Sequence, residues 1–146
     1  MPLRAVRAAR VAEPPAPPVI EAAAQAALEH YLDHLAQVRR RSVFTLRNYR
    51  TDLEDWLRFL AVKGVAYAAA GRSHGRAYLS HLQDDHVAEG SIRRRATTIR
   101  GWYAWMDGNG MPLEARPGDS VLRLRYPRQT RRLPHFLDVD EAQRLM

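Results

Sequence analysis

The strongest constraint on this chain is a stripe of large apolar residues at helical spacing. Leu46, Tyr49, Leu53, Trp56, Leu57 and Leu60 recur at three- and four-residue steps, a pattern that an α-helix turns into one continuous face. A face of that kind has to be buried, so the helix carrying it must pack against other elements. Ser42 stands just ahead of the stripe and predicts its N-cap, because a serine hydroxyl accepts from amides that the first turn leaves unpaired. Gly64 predicts its end.

The rest of the chain reads around this helix. Ile20, Ala24, Leu28, Tyr31, Leu32, Leu35 and Val38 predict a preceding helix, broken by RRRS at 39–42. A third helix is expected from about Ser73 to Val87, with Tyr78, Leu79 and Leu82 inward. Glu89-Gly90 reads as a turn, Ser91 as the cap of a fourth helix, and Asp107-Gly108-Asn109-Gly110 as its stop. GMPLEARPGDS at 110–120 is turn-rich, with room for a short helical turn. No segment shows a convincing strand period. The expected fold class is therefore all-α, a four-helix orthogonal bundle.

Domain organisation follows from the same reading. Residues 1–19 contain five prolines and read as a disordered leader, since PPAPP cannot join a helix. Residues 20–122 form the bundle, and 123–137 an extended basic linker. Residues 138–146 begin another helix, whose apolar side chains have nothing left to pack on. Such an ending is expected of a piece of a longer protein, so 138–146 reads as the start of a second, truncated domain.

Composition narrows the function classes. The absence of cysteine excludes disulfides and thiolate metal sites and fits a reducing cytoplasm, the expected location. The longest apolar run, VAYAAA at 65–70, is far too short for a membrane span, and the leader lacks the continuous apolar core of a secretory signal. An arginine-rich organellar transit peptide is the less favoured reading of that leader. Net charge is +7, and its placement is more telling than its size. Residues 91–136 hold ten arginines against Asp107, Glu114 and Asp119, which accounts for the whole excess; elsewhere acids and bases balance. Charge concentrated in this way points to a polyanion, nucleic acid or an anionic membrane surface.

SIRRRATTIRGWYAWM, residues 91–106, sharpens the point. At 100° per residue, Ile92, Ala96, Ile99, Tyr103 and Met106 share one face, with Trp102 at its edge. Arg93, Arg94, Thr97, Thr98, Arg100 and Gly101 spread over the opposite one, and Gly101 there would let another backbone come close. Arg95 falls near the apolar edge. No acid interrupts the stretch between Glu89 and Asp107. Arginine supplies a planar fork for phosphates and guanine edges, and threonine a hydroxyl or methyl. The second helix repeats the theme at its start, where Arg40, Arg41, Ser42 and Thr45 surround an N-terminus that favours anions. Arg47 and Asn48 lie opposite its leucine stripe. Two basic helix faces in one small bundle favour a nucleic-acid partner over a merely solvated surface.

Other candidates are weaker. His30 and His34 have a spacing that can hold zinc, but EHYLDH lacks the glutamate of a zinc-protease motif and no third ligand is evident, so they read as surface histidines. Tyr31, Tyr49, Tyr78 and Tyr103 fall on apolar faces and read as core. No nucleophile elbow, phosphate-binding glycine loop or paired-carboxylate constellation is present. No catalytic residue, metal, cofactor or small-molecule ligand is expected in this chain.

Taken in order, TLRNYRTDLEDWLRFL, EGSIRRRATTIRGWYAWM and RRLPHFLDVDEAQRLM resemble the tyrosine recombinases of the phage integrase family, most closely the Xer type. Thr45, Tyr49, Asp52-Leu53 and Phe59-Leu60 match the pattern of that family's second helix. Arg94, Thr97, Ile99-Arg100 and Trp102-Tyr103 match the fourth, and Leu133-Pro134, Leu137 and Asp140-Glu141 match the entry to the catalytic domain. GMPLEARPGDS departs from an asparagine-proline pair common after the fourth helix. The resemblance implies a SAM-like core-binding domain that, with a catalytic domain, clamps duplex DNA through its second and fourth helices. Strand breakage through a phosphotyrosine link belongs to the catalytic domain, so this chain is expected to bind DNA without cutting it. The implied DNA contacts are Arg41, Ser42, Thr45, Arg47 and Asn48 on the second helix, and Arg93, Arg94, Thr97, Thr98 and Arg100 on the fourth. Arg128, Arg131 and Arg132 would follow phosphates through the linker, and a second recombinase protomer is a possible partner. Chromosome-dimer resolution and mobile-element integration both fit. A free-standing DNA-binding regulator or nucleoid protein, or a helical protein-interaction module, is the alternative reading.

Overall fold

The computed structural model describes residues 19–126, which fold as four α-helices with no strand among them. Helix α1 spans Ala22–Gln37, α2 Val43–Lys63, α3 Arg72–Asp84 and α4 Glu89–Gly108. Three short 3-10 turns follow the gaps, at Tyr67–Ala69, Pro117–Asp119 and Val121–Arg123. The all-α bundle expected from the sequence is the fold observed. The expected leader, most of the linker and the helix beginning near Asp138 lie outside the described residues.

Local chemistry explains most boundaries. Ser42 caps α2, its hydroxyl oxygen accepting from the Thr45 amide at 3.1 Å. Gly64 ends the same helix in the left-handed region, φ 71°, a conformation that costs glycine little. Helix α3 runs shorter than expected. The Gly71 amide donates to His74 Nδ1 at 2.9 Å at its start, and the chain leaves the helix at Asp84 rather than Val87. The next turn also falls earlier, with His86 at φ 61°. Glu89-Gly90, expected as the turn, is the first turn of α4, so Ser91 sits inside the helix and does not cap it. Acids suit that position: Glu89 complements the helix dipole where a cap hydroxyl is missing.

Trp56, Trp102, Tyr78 and Tyr103 are the largest fully buried side chains, and they centre the core where α2, α3 and α4 meet. Trp56 Nε1 donates to the Tyr103 hydroxyl at 3.2 Å, which in turn donates to the Tyr67 carbonyl at 2.7 Å. The polar tips of Trp56 and Tyr103 are thereby satisfied, whereas the buried indole nitrogens of Trp102 and Trp105 have no hydrogen-bond partner among the described residues. Helix α4 buries two faces, not one. Besides the expected stripe, Trp102 stacks on Tyr67 and Tyr31, and Trp105 lies between Tyr31, His30 and His34.

The core does not stop at α4. Val121 and Leu124 are buried, so the chain folds back across the bundle after the turn-rich stretch, and Leu124 belongs to the core rather than to an extended linker. A Cβ on Gly75 of α3 would stand 2.9 Å from both Leu124 methyl carbons. A mid-helix glycine costs about 0.5–1 kcal/mol, whereas burying a leucine side chain contributes about 1.5–3 kcal/mol. The exchange favours the glycine.

Candidate nucleic-acid interface

Five residues expected to contact DNA from α2 sit around its first two turns. Arg41, Ser42, Arg47 and Asn48 are exposed, and Thr45 is half-buried. The Ser42 and Thr45 hydroxyls are 3.0 Å apart and hydrogen-bonded. Together with Arg39 and Arg40, these arginines form no ion pair with any described carboxylate. Further along, Arg50 is bound by Glu29 and Glu54, and Arg58 by Glu54. Unpaired arginine on α2 is thus confined to its N-terminal end, where the backbone amides add to it, while Lys63 at the other end lies over the Phe59 ring.

The arginines of α4 divide sharply by partner. Arg94 forms a fork on Asp52, Nε to Oδ2 at 3.1 Å and Nη2 to Oδ1 at 2.9 Å. Asp52 is only 2% exposed while Arg94 stays half exposed, so this charge pair braces α2 against α4 from the edge of the core. Arg95 reaches Asp55 at 2.8 Å and the Tyr78 hydroxyl at 3.0 Å, with its Nε 3.6 Å from Asp52. Burial, then the hydrogen bond to Asp55, pushes the Tyr78 phenol well up. Arg95 therefore belongs to the interior, as its place on the wheel suggested.

Arg93, Thr97 and Arg100 remain on the outer face. The Thr97 hydroxyl donates to the Arg93 carbonyl at 3.2 Å and accepts from Arg100 Nη2 at 3.4 Å. Arg100 Nη1 donates to the Leu124 carbonyl at 2.9 Å, and Arg125 Nη1 donates to the same oxygen at 2.9 Å. Burial and then the like charge of Arg125 hold the Arg100 guanidinium below its usual range. Arg93 lies 5.6 Å over the Tyr126 ring and 3.7 Å from Glu89, and its enclosed Nη2 has no hydrogen-bond partner. Arg93, Ala96, Thr97, Arg100, Arg125 and Tyr126 line a shallow depression. Three guanidiniums around one hollow, with a single carboxylate nearby, make it an anion-attracting surface.

Two expectations on α4 are corrected. Thr98 is buried, its hydroxyl bonded to the Arg94 carbonyl at 3.0 Å, because it lies on the strip of Trp102 and Trp105 that meets α1. It does not face outward. Gly101 has a neighbour already on this side: a Cβ there would meet the Tyr31 hydroxyl of α1 at 3.4 Å, an ordinary contact distance. In the other direction, Arg125 and Tyr126 join the surface although neither stood among the expected contacts. The alternation Leu122-Arg123-Leu124-Arg125, with apolar members able to dock, is the signal that could have found Arg125. Arg128, Arg131 and Arg132 lie outside the described residues. Among the described residues no group of three or more histidines and carboxylates is placed to hold a metal ion, and no helix is long and apolar enough to cross a membrane.

Comparison with known sequences agrees with the four-helix bundle. The phage integrase N-terminal SAM-like domain family matches residues 28–108, and the chain belongs to that family. Among curated proteins it is 31% identical over 119 residues to the tyrosine recombinase XerD of Rhizobium meliloti, covering 82% of this chain and 37% of that protein. It is 33% identical over 122 residues to the tyrosine recombinase XerC of Mycobacterium tuberculosis, covering 84% of this chain and 40% of that one. The XerD of Shewanella oneidensis is 28% identical over 119 residues, with 82% and 38% covered. The chain thus spans about two fifths of the length of these relatives. No solved structure matches it significantly.

Proposed function

We propose that this chain is the DNA-binding portion of a Xer-like site-specific tyrosine recombinase, gripping duplex DNA through the start of α2 and the outer face of α4. The observation that carries this reading is the hollow of Arg93, Arg100 and Arg125. There, Arg100 and Arg125 share one carbonyl oxygen and pair with no described carboxylate, and the one acid nearby, Glu89, stands 3.7 Å from Arg93. Holding like charges together is unfavourable unless an anion completes the site. Spacing along α2 supports a continuous surface. Asn48 lies one turn before Asp52, and Asp52 carries the Arg94 brace, so the basic end of α2 adjoins α4.

Within this surface Arg41, Arg47, Asn48, Arg93 and Arg100 contact phosphates or groove edges, with Thr97 between them. Arg94 acts as a brace, because Asp52 occupies two of its nitrogens. Arg128, Arg131 and Arg132 continue the phosphate track. Breakage and rejoining of strands falls to parts of the parent enzyme outside the matched two fifths, and a second recombinase protomer is the further partner, in the cytoplasm where its DNA lies. Fluorescence anisotropy with several unrelated duplexes tests the phosphate role. Arg100→Gln should weaken binding to all of them by a similar factor, and a loss confined to one sequence would contradict it.

A further inference from the structure

Building on the DNA reading above, we infer that residues 121–126 are a working part of the anion site: Leu124, docked against Gly75, holds Arg125 beside Arg100 so that both seat one phosphate. The dock is specific. Leu124 is fully buried, and a side chain at position 75 would stand 2.9 Å from both of its methyls. Gly71, the N-cap of α3, likewise leaves room for Asp119, where a Cβ would meet the carbonyl oxygen at 2.8 Å. Gly71 and Ser120 form an isolated antiparallel bridge, and the Ser120 hydroxyl accepts from the Leu122 amide at 3.0 Å. The returning chain is therefore fixed on α3 by two glycine notches before it reaches the basic face.

What that fixing achieves is visible at the Leu124 carbonyl. Arg100 comes to it from α4 and Arg125 from the returning chain, each at 2.9 Å. Two nitrogens that close to one oxygen are near enough for a single phosphate to reach both. Tyr126 completes the arrangement: its hydroxyl accepts from Gln83 of α3 at 3.0 Å, and its ring lies under Arg93. Undocking Leu124 would leave all three arginines in the chain but scatter the seat. Gly75 and Leu124 are thus positioning residues for DNA binding.

The test reads the salt dependence of duplex binding, using the 146-residue chain and checking helicity by circular dichroism. Neutralising one phosphate contributes about 0.9 to the slope of log affinity against log salt. Arg125→Gln should lower the slope by about that amount. Leu124→Ala should lower it equally while removing no charge, and the combined variant should lose no more. An unchanged slope in Leu124→Ala, or additive losses, would overturn the inference. Should Leu124→Ala unfold the bundle, Arg100→Gln with Arg125→Gln decides the matter. One shared phosphate predicts a combined loss of about 0.9, and two separate phosphates would show about twice that. A flat slope in the unaltered chain would count against the DNA reading itself, whereas a normal slope untouched by these variants would remove only the seat.

Discussion

Asp52 shows at the scale of one residue why a basic helix cannot be read from its charges alone. A carboxylate 2% exposed needs partners for its oxygens, and Arg94 and Arg95 supply them from α4. Asp52→Ala removes these charge-assisted hydrogen bonds but leaves Arg94 half exposed and Arg95 on Asp55, so it is expected to cost about 1.5–3 kcal/mol in urea unfolding. Arg94→Ala should cost less, because Arg95 stays within 3.6 Å of Asp52, and it should lower stability without relaxing sequence preference in binding. The buried tyrosines give a pH signature. Burial, with a smaller push from Tyr49 and against the opposing pull of Arg39 and Arg41, raises Tyr31 to about 12 from an ordinary 10. Its folded pKa lies above its unfolded one, so its contribution to stability is complete below pH 10 and lost as pH rises through 12. Tyr78 and Tyr103 move in the same direction. Tyrosinate absorbance should consequently show these three ionising together with loss of helical circular dichroism, and not as free phenols.

Single elements were legible in proportion to how many faces they bury. Helix α2 buries one, and its stripe, its Ser42 cap and its Gly64 stop were all readable in advance. Because that cap is a single hydroxyl on the Thr45 amide, Ser42→Ala should cost about 1 kcal/mol in thermal or urea unfolding. Helix α4 buries two, and a wheel divided into one apolar and one polar half misassigns the second. Thr98 and Gly101 went to the polar side because neither looks apolar, yet Tyr31 and Trp102 occupy that strip. Its first turn was misread as well. Glu89-Gly90 has turn composition, but the backbone reverses earlier, where His86 adopts positive φ. Helix α3 was located but given three residues too many at its end, for the same reason.

For the whole molecule, the location of the charge excess was legible and its assembly was not. Ten arginines in residues 91–136 marked the anion-binding region. Which of them are free depends on contacts across more than forty positions, such as Asp52 with Arg94, and no local pattern reports those. The return of the chain over α3 was missed because Gly75 looks like a weak point in a helix until Leu124 is seen to fill it. Family membership, shown over residues 28–108, sets the bundle but leaves these choices to the individual sequence. The account's central claim is that the free arginines on α2, α4 and the returning chain neutralise DNA phosphates. Measuring duplex affinity from low to moderate salt tests it most directly. A steep linear fall of log affinity with log salt is predicted, about 0.9 for each phosphate engaged; binding that is absent at low salt, or indifferent to salt, would contradict it.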